Sequence, residues 1–535
     1  MAAPVENLDA YPDLCEAGIL ELQDGLSEAQ FTSVDLVKAY LARIDEVNLK
    51  GPALRAVIET NPSALSQAAE LDKERAQKGP RGSLHGIPLL VKDNIATLHS
   101  EGMNTTAGSY ALLGSVVPRD APVAAKLRAA GAIILGKTNM SEWANFRGQV
   151  PSGFSGRGGQ CTSPYYPLVD PSGSSSGSGI AAAIGLAAGT LGTETDGSIT
   201  SPSSRNNLVG IKPTVGLTSR AGVIPISSHQ DSIGPMTRSV TDAAILLSTI
   251  AGPDDSDNYT LAQPLPVPNY THALKLDALK GARLGVPRSF ATRPQENAEA
   301  QANIVKAFDQ ALEVFKQLGA EIVDPAEFPN AELLKERRTH ELHVMGVDLK
   351  IDLNKYIDGL LEVPTGVKNL ADLIKFNEDH AEQELPAPYW TDQSQFIKSQ
   401  SLEADKYYED TVAANYKMSR ASGIDATLQK YNLDAIILPT NGFASTPPAL
   451  AGYPLISVPL GFQPDDLEPA PAEPVRQYGP GVPFGISFMG TAWSETKLIG
   501  FAYAFEQATK ARLMRKAYEE AIPKTQLVDI VGKAV

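Results

Sequence analysis

The sequence predicts an α/β protein in which strands and helices alternate to form layers. Short apolar runs of the buried-strand kind are separated by stretches with helical periodicity. Of the 535 residues, 43% are hydrophobic and 20% are charged, which is typical of a globular chain. Disorder or a coiled coil is therefore excluded as the main state, and the length allows a large hydrophobic core.

Two amphipathic helices are predicted near the start of the chain, where they would form an outer layer. Ser27 and Gln30 make a capping box ahead of apolar residues that recur at helical spacing over 34–44. A second helix is predicted over 61–71, because Asn-Pro supplies a cap and a first helical residue there.

The pattern then changes to buried strands with helices between them. Strands are predicted at IPLLV (87–91), GAIILG (131–136) and LVGIKP (208–213), and APVAAKLRAAG (121–131) has the spacing of a helix between two of them. Alternation of this kind predicts layers of helices against a sheet.

The second half of the chain divides into a helical block and a return of the strand pattern. Residues 253–432 are more polar and helical, with the clearest amphipathic stretch at 303–319, and they resemble an insertion or lid. The later runs are DAIILPT (434–440), PLISVPLGF (454–462), FGISFMG (484–490) and a helix over 494–511. The predicted core is therefore split in sequence.

Composition narrows the classes of function. The chain has 46 Lys and Arg against 62 Asp and Glu, a formal net charge of −16, and this balance repels nucleic acids and anionic membranes. Cys15 and Cys161 are too few for a structural zinc site or a disulfide framework. Since a signal peptide and an apolar stretch of about 18 residues are both lacking, we expect a cytoplasmic protein with no nucleic-acid or membrane partner.

A stretch made only of Pro, Ser and Gly, PSGSSSGSG (171–179), is the most conspicuous local feature. Alone it would be typical of a flexible linker. It leads, however, directly into IAAAIGLAAGTLG (180–192), whose small apolar residues suit a tightly packed buried helix. A loop at the start of such a helix presents N–H groups and hydroxyls to a site of low dielectric constant.

Two further features carry possible chemistry. In GTETDGSITSP (192–202), Gly197 allows close approach of the backbone beside Ser198, and consecutive N–H groups there could form an oxyanion hole. Lys92 follows the apolar run 87–91. A lysine at a strand end is usually a solvated surface group, but a desolvated lysine can lose its proton near neutral pH and act as a base.

Together, in this order, the strings GIPLLVKDN, SGSSSGSG and GTETDGSI resemble the amidase signature family. The resemblance implies the amidase signature fold, a large mixed β-sheet core with helices on both faces, in one domain over 1–535. It places the signature core at 62–250, the insertion that shapes the substrate pocket at 253–432, and the return to the core at 434–525.

The resemblance also implies a Ser-cisSer-Lys triad. Lys92 matches the lysine of the family, Ser198 the acylated nucleophile, and Ser174, which lies 24 residues before Ser198, the bridging serine. The neighbouring serines at 172, 175, 176 and 178 stay open as alternatives for the bridge.

The implied oxyanion hole consists of the backbone N–H groups of Thr195, Asp196, Gly197 and Ser198, and the backbone near Arg147 and Gly148 would line the substrate pocket. The chain departs from the commonest family pattern in two places. Asp196 replaces a glycine, and we expect its side chain to point away from the substrate and accept backbone hydrogen bonds. Thr200 replaces an arginine, so an anion-steering role is not expected there.

The strings are most similar to the peptide amidase subgroup, which hydrolyses C-terminal carboxamides of peptides. We therefore expect an enzyme that releases ammonia from peptide or amino acid amides without a metal or cofactor. Its only partner would be a small-molecule or peptide amide substrate, and the chain would be a monomer or homodimer. Fatty or aryl amides, and the role of the glutamine-using tRNA amidotransferase component, are the alternatives within the family.

Three motifs point to other functions. GAIILGKT (131–138) matches the phosphate-loop expression, but its variable positions have the character of a buried strand. His340 and His343 lie on a charged helical stretch without nearby metal-ligand partners. The His229-Asp231 pair suggests a Ser-His-Asp triad, but a G-x-S-x-G nucleophile elbow to serve it is lacking.

Overall fold

One mixed sheet of eleven strands runs through the computed structural model, which describes residues 11–292 and 297–532. The strands are β1 (Val57–Thr60), β2 (Pro88–Lys92), β3 (Ile133–Thr138), β4 (Phe154–Ser155), β5 (Gly159–Gln160), β6 (Gly189–Glu194), β7 (Val209–Lys212), β8 (Ser232–Thr237), β9 (Arg283–Gly285), β10 (Glu321–Val323), β11 (Ala435–Pro439), β12 (Leu455–Phe462) and β13 (Pro483–Met489). Their order in the sheet is β1-β3-β2-β6-β8-β7-β12-β13-β11-β9-β10, and β4 and β5 pair separately.

Helices cover both faces of this sheet. They are α1 (Ile19–Ser27), α2 (Ser33–Val47), α3 (Ala64–Lys78), α4 (Pro122–Ala129), α5 (Ser176–Ala183), α6 (Thr200–Arg205), α7 (Val240–Ile250), α8 (Ala298–Gln317), α9 (Ala331–Lys335), α10 (Arg338–Asp358), α11 (Leu370–Asp379), α12 (Ala381–Glu384), α13 (Ser394–Gln400), α14 (Lys406–Ser419), α15 (Asp425–Lys430), α16 (Thr446–Ala451) and α17 (Glu495–Thr509). Both α6 and α17 pack against β12 and β13. The predicted α/β class is confirmed.

The centre of the sheet places two strand ends beside each other. β2 is parallel to β6, with Val91 opposite Leu191, and every residue of both strands is buried. Because the carboxyl ends of parallel strands lie at the same edge of a sheet, Lys92 at the end of β2 lies beside the end of β6. β7 from the first half of the chain pairs with β12 from the second, so segments far apart in sequence are neighbours in the sheet.

Two predictions about where helices begin and end were wrong. Ser27 ends α1, and the capping box belongs to Thr32 and Asp35, which exchange hydrogen bonds of 2.9 and 3.1 Å. The apolar run 180–192 is helical only to Ala183, and its last residues belong to β6. The chain turns at Gly185, which has a φ of +66° that favours glycine.

The block 253–432 is not wholly helical. It contributes β9 and β10 to one edge of the main sheet, and Phe308 and Phe315 of α8 belong to the main hydrophobic core. The later part of the block, residues 331–430, contains helices α9–α15 and none of the named strands, and we call it the helical layer. The hydrophobic period of a helix is the same in both parts, so the sequence did not distinguish them.

The structure argues against the phosphate-loop alternative, because residues 133–138 form the buried strand β3. Among the described residues, no three His, Cys, Asp or Glu side chains cluster as metal ligands would, so His340 and His343 have no partners for a metal site there. None of the described helices has the length and apolar composition needed to cross a membrane.

Candidate active site

Lys92 is completely buried at the end of β2. Its Nζ lies 2.8 Å from Ser174 Oγ, 2.9 Å from Thr193 Oγ1 and 3.3 Å from the Thr193 carbonyl oxygen. The usual expectation of a solvated surface lysine therefore does not apply here.

Burial lowers the pKa of Lys92 to about 7, and the negative charges of Asp231 and Glu194 oppose this shift. A neutral amine has two N–H bonds and one lone pair. Since the Thr193 carbonyl can only accept, the two N–H groups can donate to the two oxygens of Thr193, which leaves the lone pair for the Ser174 hydroxyl. The geometry thus suits a lysine that takes a proton from Ser174.

The serine-rich loop sends its hydroxyl groups to different partners. Ser174 Oγ contacts Lys92, and the Gly173–Ser174 peptide bond is cis. The other loop hydroxyls with described contacts donate to backbone carbonyl oxygens. These bonds run from Ser175 Oγ to Thr193 O (3.1 Å), from Ser176 Oγ to Ser172 O (2.6 Å) and from Ser178 Oγ to Leu191 O (3.0 Å). Among the five serines of the loop, the structure therefore brings only Ser174 to the lysine.

Ser198 lies in the turn between β6 and α6 and is 8% exposed. Its carbonyl oxygen accepts a hydrogen bond of 3.2 Å from the N–H of Ser175, the residue after Ser174. This bond joins the turn to the serine-rich loop, so the three residues of the predicted triad lie in one region.

The backbone N–H groups of this turn fall into two sets. Ile199 and Thr200 donate to the Glu194 carboxylate at 2.7 and 2.8 Å. In contrast, the N–H groups of Asp196, Gly197 and Ser198 have no acceptor among the described residues. Gly197 has a φ of +83°, a conformation that glycine adopts without steric cost. Three consecutive N–H groups therefore stay free to bind an oxyanion. We call residues 195–198 the oxyanion turn.

Glu194 holds this turn at its far end. Its carboxylate also accepts a hydrogen bond of 3.1 Å from Thr200 Oγ1. The threonine that stands in place of the family's arginine is therefore a hydrogen-bond donor to a buried carboxylate. Burial raises the pKa of Glu194 above its usual value. Sequence reasoning missed Glu194, although its place at a strand end just before the motif was a possible signal.

The expectation that the Asp196 side chain accepts backbone hydrogen bonds was wrong, whereas its orientation away from the substrate stays a prediction. Its carboxylate accepts no backbone hydrogen bond in the described structure and instead binds Arg338 of α10 at 3.2 Å. The partner comes from the helical layer more than 100 residues away in sequence, which local reasoning had no means to detect.

A cavity of about 460 Å³ opens beside the oxyanion turn. Thr193 and Thr195 line this cavity, whereas Lys92, Ser174 and Ser198 do not, and apolar groups make up more of the wall than polar groups. The apolar wall residues include Val117, Ala144, Ile224, Ile226 and Leu360, and the charged residues Arg119, Arg220, Asp231, Asp257, Asp352 and Lys355 also line the cavity. The volume is in the range of small-molecule binding sites, and the helical layer supplies part of the wall through α10.

Asp231 is a cavity residue that sequence reasoning considered only as part of a Ser-His-Asp triad. Its carboxylate accepts hydrogen bonds from Thr195 Oγ1 (2.6 Å) and from the N–H groups of Ile226 and Ser227 (2.8 and 3.0 Å). His229 pairs with Asp348 at 2.8 Å instead. The structure therefore gives the Ser-His-Asp alternative no support.

Arg147 and Gly148 are not among the residues that line this cavity. The Arg147 guanidinium is fully buried, pairs with Glu142 and donates to the Trp390 carbonyl at 2.6 Å. A Cβ atom at Gly148 would lie 2.6 Å from the Asp392 carbonyl oxygen, so this residue packs against the insertion. Their role in substrate binding stays a prediction.

The chain is similar to known proteins over nearly its whole length. A family sequence model described as Amidase matches residues 35–499. The X-ray structure of native peptide amidase from Stenotrophomonas maltophilia has a TM-score of 0.83 and 41% identity, and the match covers 94% of this chain and 98% of that one. "Probable amidase" of Arabidopsis thaliana is 42% identical over 93% of this chain and 91% of its own length. A glutamyl-tRNA(Gln) amidotransferase component of Geobacter metallireducens is 32% identical, over 93% and 98% respectively.

Proposed function

Since the chain belongs to the amidase family and is a hydrolase of amide C–N bonds, we propose that it releases ammonia from C-terminal amides of peptides or from amino acid amides. The reaction would proceed through an acyl-enzyme on Ser198. The single observation that carries the mechanism is the 2.8 Å contact between Lys92 Nζ and Ser174 Oγ in a fully buried setting.

In the first half of the reaction, Ser198 Oγ attacks the carbonyl carbon of the amide. Its proton passes to Ser174 while the Ser174 proton passes to neutral Lys92, so the nucleophile is activated without a free hydroxide. The C–N bond then breaks, and the proton held by Lys92 returns through Ser174 to the leaving NH₂ group. The products of this half are ammonia and an ester of Ser198.

In the second half, a water molecule takes the place of the nucleophile. It loses one proton to the Ser174–Lys92 relay, adds to the ester carbonyl and displaces Ser198 Oγ, which recovers a proton from the relay. The carboxylic acid leaves, and the enzyme returns to its starting state. Each proton is accounted for by groups of the chain, the substrate and water.

The free N–H groups of Asp196, Gly197 and Ser198 would bind the negative oxygen that forms in both halves. In comparable sites, a single donor of this kind contributes about 2.7 to 4 kcal/mol to stabilisation of the transition state. These groups are already oriented before the substrate arrives, because Glu194 holds the two N–H groups that follow them.

The substrate class rests on the cavity and on likeness. The cavity, which has both apolar and charged wall residues and reaches Thr195 of the oxyanion turn, could hold the acyl side of the amide, and the structural relative from Stenotrophomonas maltophilia is a peptide amidase. Fatty or aryl amides would also suit an apolar wall. The similarity to an amidotransferase component keeps glutamine among the candidates.

Ammonia release from a panel of amides tests this proposal. The panel contains peptide carboxamides, amino acid amides, fatty amides, aryl amides and glutamine. We expect the highest kcat/KM for the peptide or amino acid amides. A clear preference for fatty amides, aryl amides or glutamine would contradict the proposed substrate class.

Variants of three serines test the residues. We expect Ser198→Ala to fold and to lose both hydrolysis and labelling by a fluorophosphonate, and Ser174→Ala to lose about 10² to 10⁴ in kcat. Ser176→Ala is the matched control, because Ser176 Oγ only donates to the Ser172 carbonyl of its own loop. Near-normal turnover by Ser198→Ala would rule out the acyl-enzyme at that residue.

A further inference from the structure

Hydrogen bonds connect the oxyanion turn to α10 in a closed ring. Gln230 Nε2 donates to the Thr195 carbonyl at 3.4 Å and to Glu341 Oε1 at 3.0 Å. Arg338 donates to Glu341 Oε2 at 2.8 Å and to Asp196 Oδ2 at 3.2 Å. The ring thus begins and ends at two adjacent residues of the turn that presents the free N–H groups.

The members of the ring differ in burial. Glu341 is completely buried, whereas the Arg338 side chain is 58% exposed and covers the ring from the solvent side. Asp196 Oδ1 is buried and has no hydrogen-bond partner among the described residues. The ion pair with Arg338 is therefore the one described hydrogen-bonded contact of the Asp196 side chain.

We propose that Arg338 is a positioning residue for the oxyanion turn, which it holds through Asp196 and Glu341. This inference rests on the proposed function, because it assigns a role to a residue that supports the oxyanion hole of that reaction. It also gives a reason for the departure from the family pattern. Asp196, which stands where a glycine is usual, provides a carboxylate that α10 binds through Arg338.

Charge explains why the arginine is needed. A carboxylate next to an oxyanion hole opposes the negative charge that forms in the transition state, and the Arg338 guanidinium offsets it. Burial and the nearby Asp196 charge raise the pKa of Glu341. Without Arg338, the Asp196 side chain would have no described hydrogen-bond donor, and we expect it to move and to shift its backbone in the turn.

The test uses the full chain and the best amide from the panel. We expect Arg338→Met to lower kcat at least tenfold while KM changes less than about threefold, because the N–H groups act mainly in the transition state. The rate of fluorophosphonate labelling of Ser198 should fall in parallel. Arg338→Lys should recover part of the loss, since an ammonium keeps the charge but not the planar donor geometry.

Arg337→Met is the matched control. It removes the same charge from the preceding residue, whose described side-chain contact is with Asn415 and not with the turn. We expect its kcat to stay within twofold of the wild type. A melting temperature for each variant separates loss of fold from loss of rate.

A double-mutant cycle identifies the route of the effect. In an Asp196→Gly background, which removes the branch of the ring through Asp196 and leaves the branch through Glu341, Arg338→Met should lower kcat by a smaller factor than in the wild type. An unchanged kcat for Arg338→Met in the wild type would overturn the proposal, as would an equal loss in both backgrounds. If the wild type released no ammonia from any amide, the proposed function would fail instead, and labelling of Ser198 would still report on Arg338.

Discussion

At the scale of single residues, burial of a lysine is not enough to make it a base. Lys92, Lys137 and Lys212 are all completely buried, and burial lowers their pKa values to about 7, 8 and 8. Lys212 Nζ donates to two carbonyl oxygens, of Pro213 and Tyr453, which can only accept. Only Lys92 meets a hydroxyl of the serine-rich loop, so its partners distinguish it from the other two.

The first prediction concerns the pH dependence set by Lys92. The neutral fraction of a lysine with a pKa of about 7 increases with pH through that value. We therefore expect kcat/KM to rise tenfold per pH unit below about 7 and to level off above about 8. Initial rates between pH 5 and 10 measure this profile.

Two variants separate the base from a mere positive charge at this position. Lys92→Arg keeps the charge but cannot deprotonate, so it should be as inactive as Lys92→Ala at every pH. Appreciable turnover by Lys92→Arg with the wild-type pH profile would show that another group is the base.

At the scale of elements, the site depends on how a strand passes into a helix. β6 ends at Glu194, the chain makes the oxyanion turn, and α6 begins at Thr200. The Glu194 carboxylate accepts hydrogen bonds from the N–H groups of Ile199 and Thr200 at the end of this connection. The N–H groups of residues 196–198, which lie in between, have no described acceptor. The left-handed residue in the turn, Gly197, is the point where the backbone reverses.

The second prediction tests that reversal with Gly197→Ala. A Cβ atom there would lie 2.9 Å from Ser201 Oγ, and a left-handed conformation costs an alanine about 1 to 2 kcal/mol. We expect the free energy of unfolding to fall by about that amount and kcat to fall at least 100-fold, because the donors lose their orientation. Urea unfolding and ammonia release measure the two effects.

Gly82→Ala is the control for this change. Gly82 has no left-handed φ, and a Cβ atom there would meet nothing within 4 Å. We expect no loss of activity or stability. Full activity of Gly197→Ala would remove the oxyanion role from this turn.

At the scale of the whole molecule, distant parts of the chain contribute residues to the candidate site. The first half supplies Lys92, Ser174 and Ser198, and the helical layer supplies Arg338 to the turn and Tyr356 to the cavity wall. The second half completes the sheet through the β7–β12 pairing. Residues 253–432 therefore contribute both to the hydrophobic core and to the candidate site.

The third prediction is that hydrolysis needs no metal. The proposed relay accounts for every proton with Lys92 and two serines, so a metal-bound water has no step to perform. We expect full activity after dialysis against EDTA. Loss of activity that added zinc restores would contradict this prediction.

The sequence by itself determined the family and the fold class, and it predicted the chemistry. The strings that end in Lys92, surround Ser174 and contain Ser198 are local, because a strand end, a loop and a turn each need a specific run of adjacent residues. The same is true of the six strands that the sequence predicted, whose limits lie within one or two residues of those observed. The family and the α/β fold were confirmed, and the roles of the three residues stay predictions.

Only the tertiary structure decided which side chains meet. The serine-rich loop offers chemically identical hydroxyl groups, and their choice of partner depends on a strand more than 80 residues earlier. The partner of Asp196 and the core strands within 253–432 likewise depend on packing between segments far apart in sequence. The reason is physical: local propensity acts over a few residues, whereas burial and ion pairing depend on the whole folded chain.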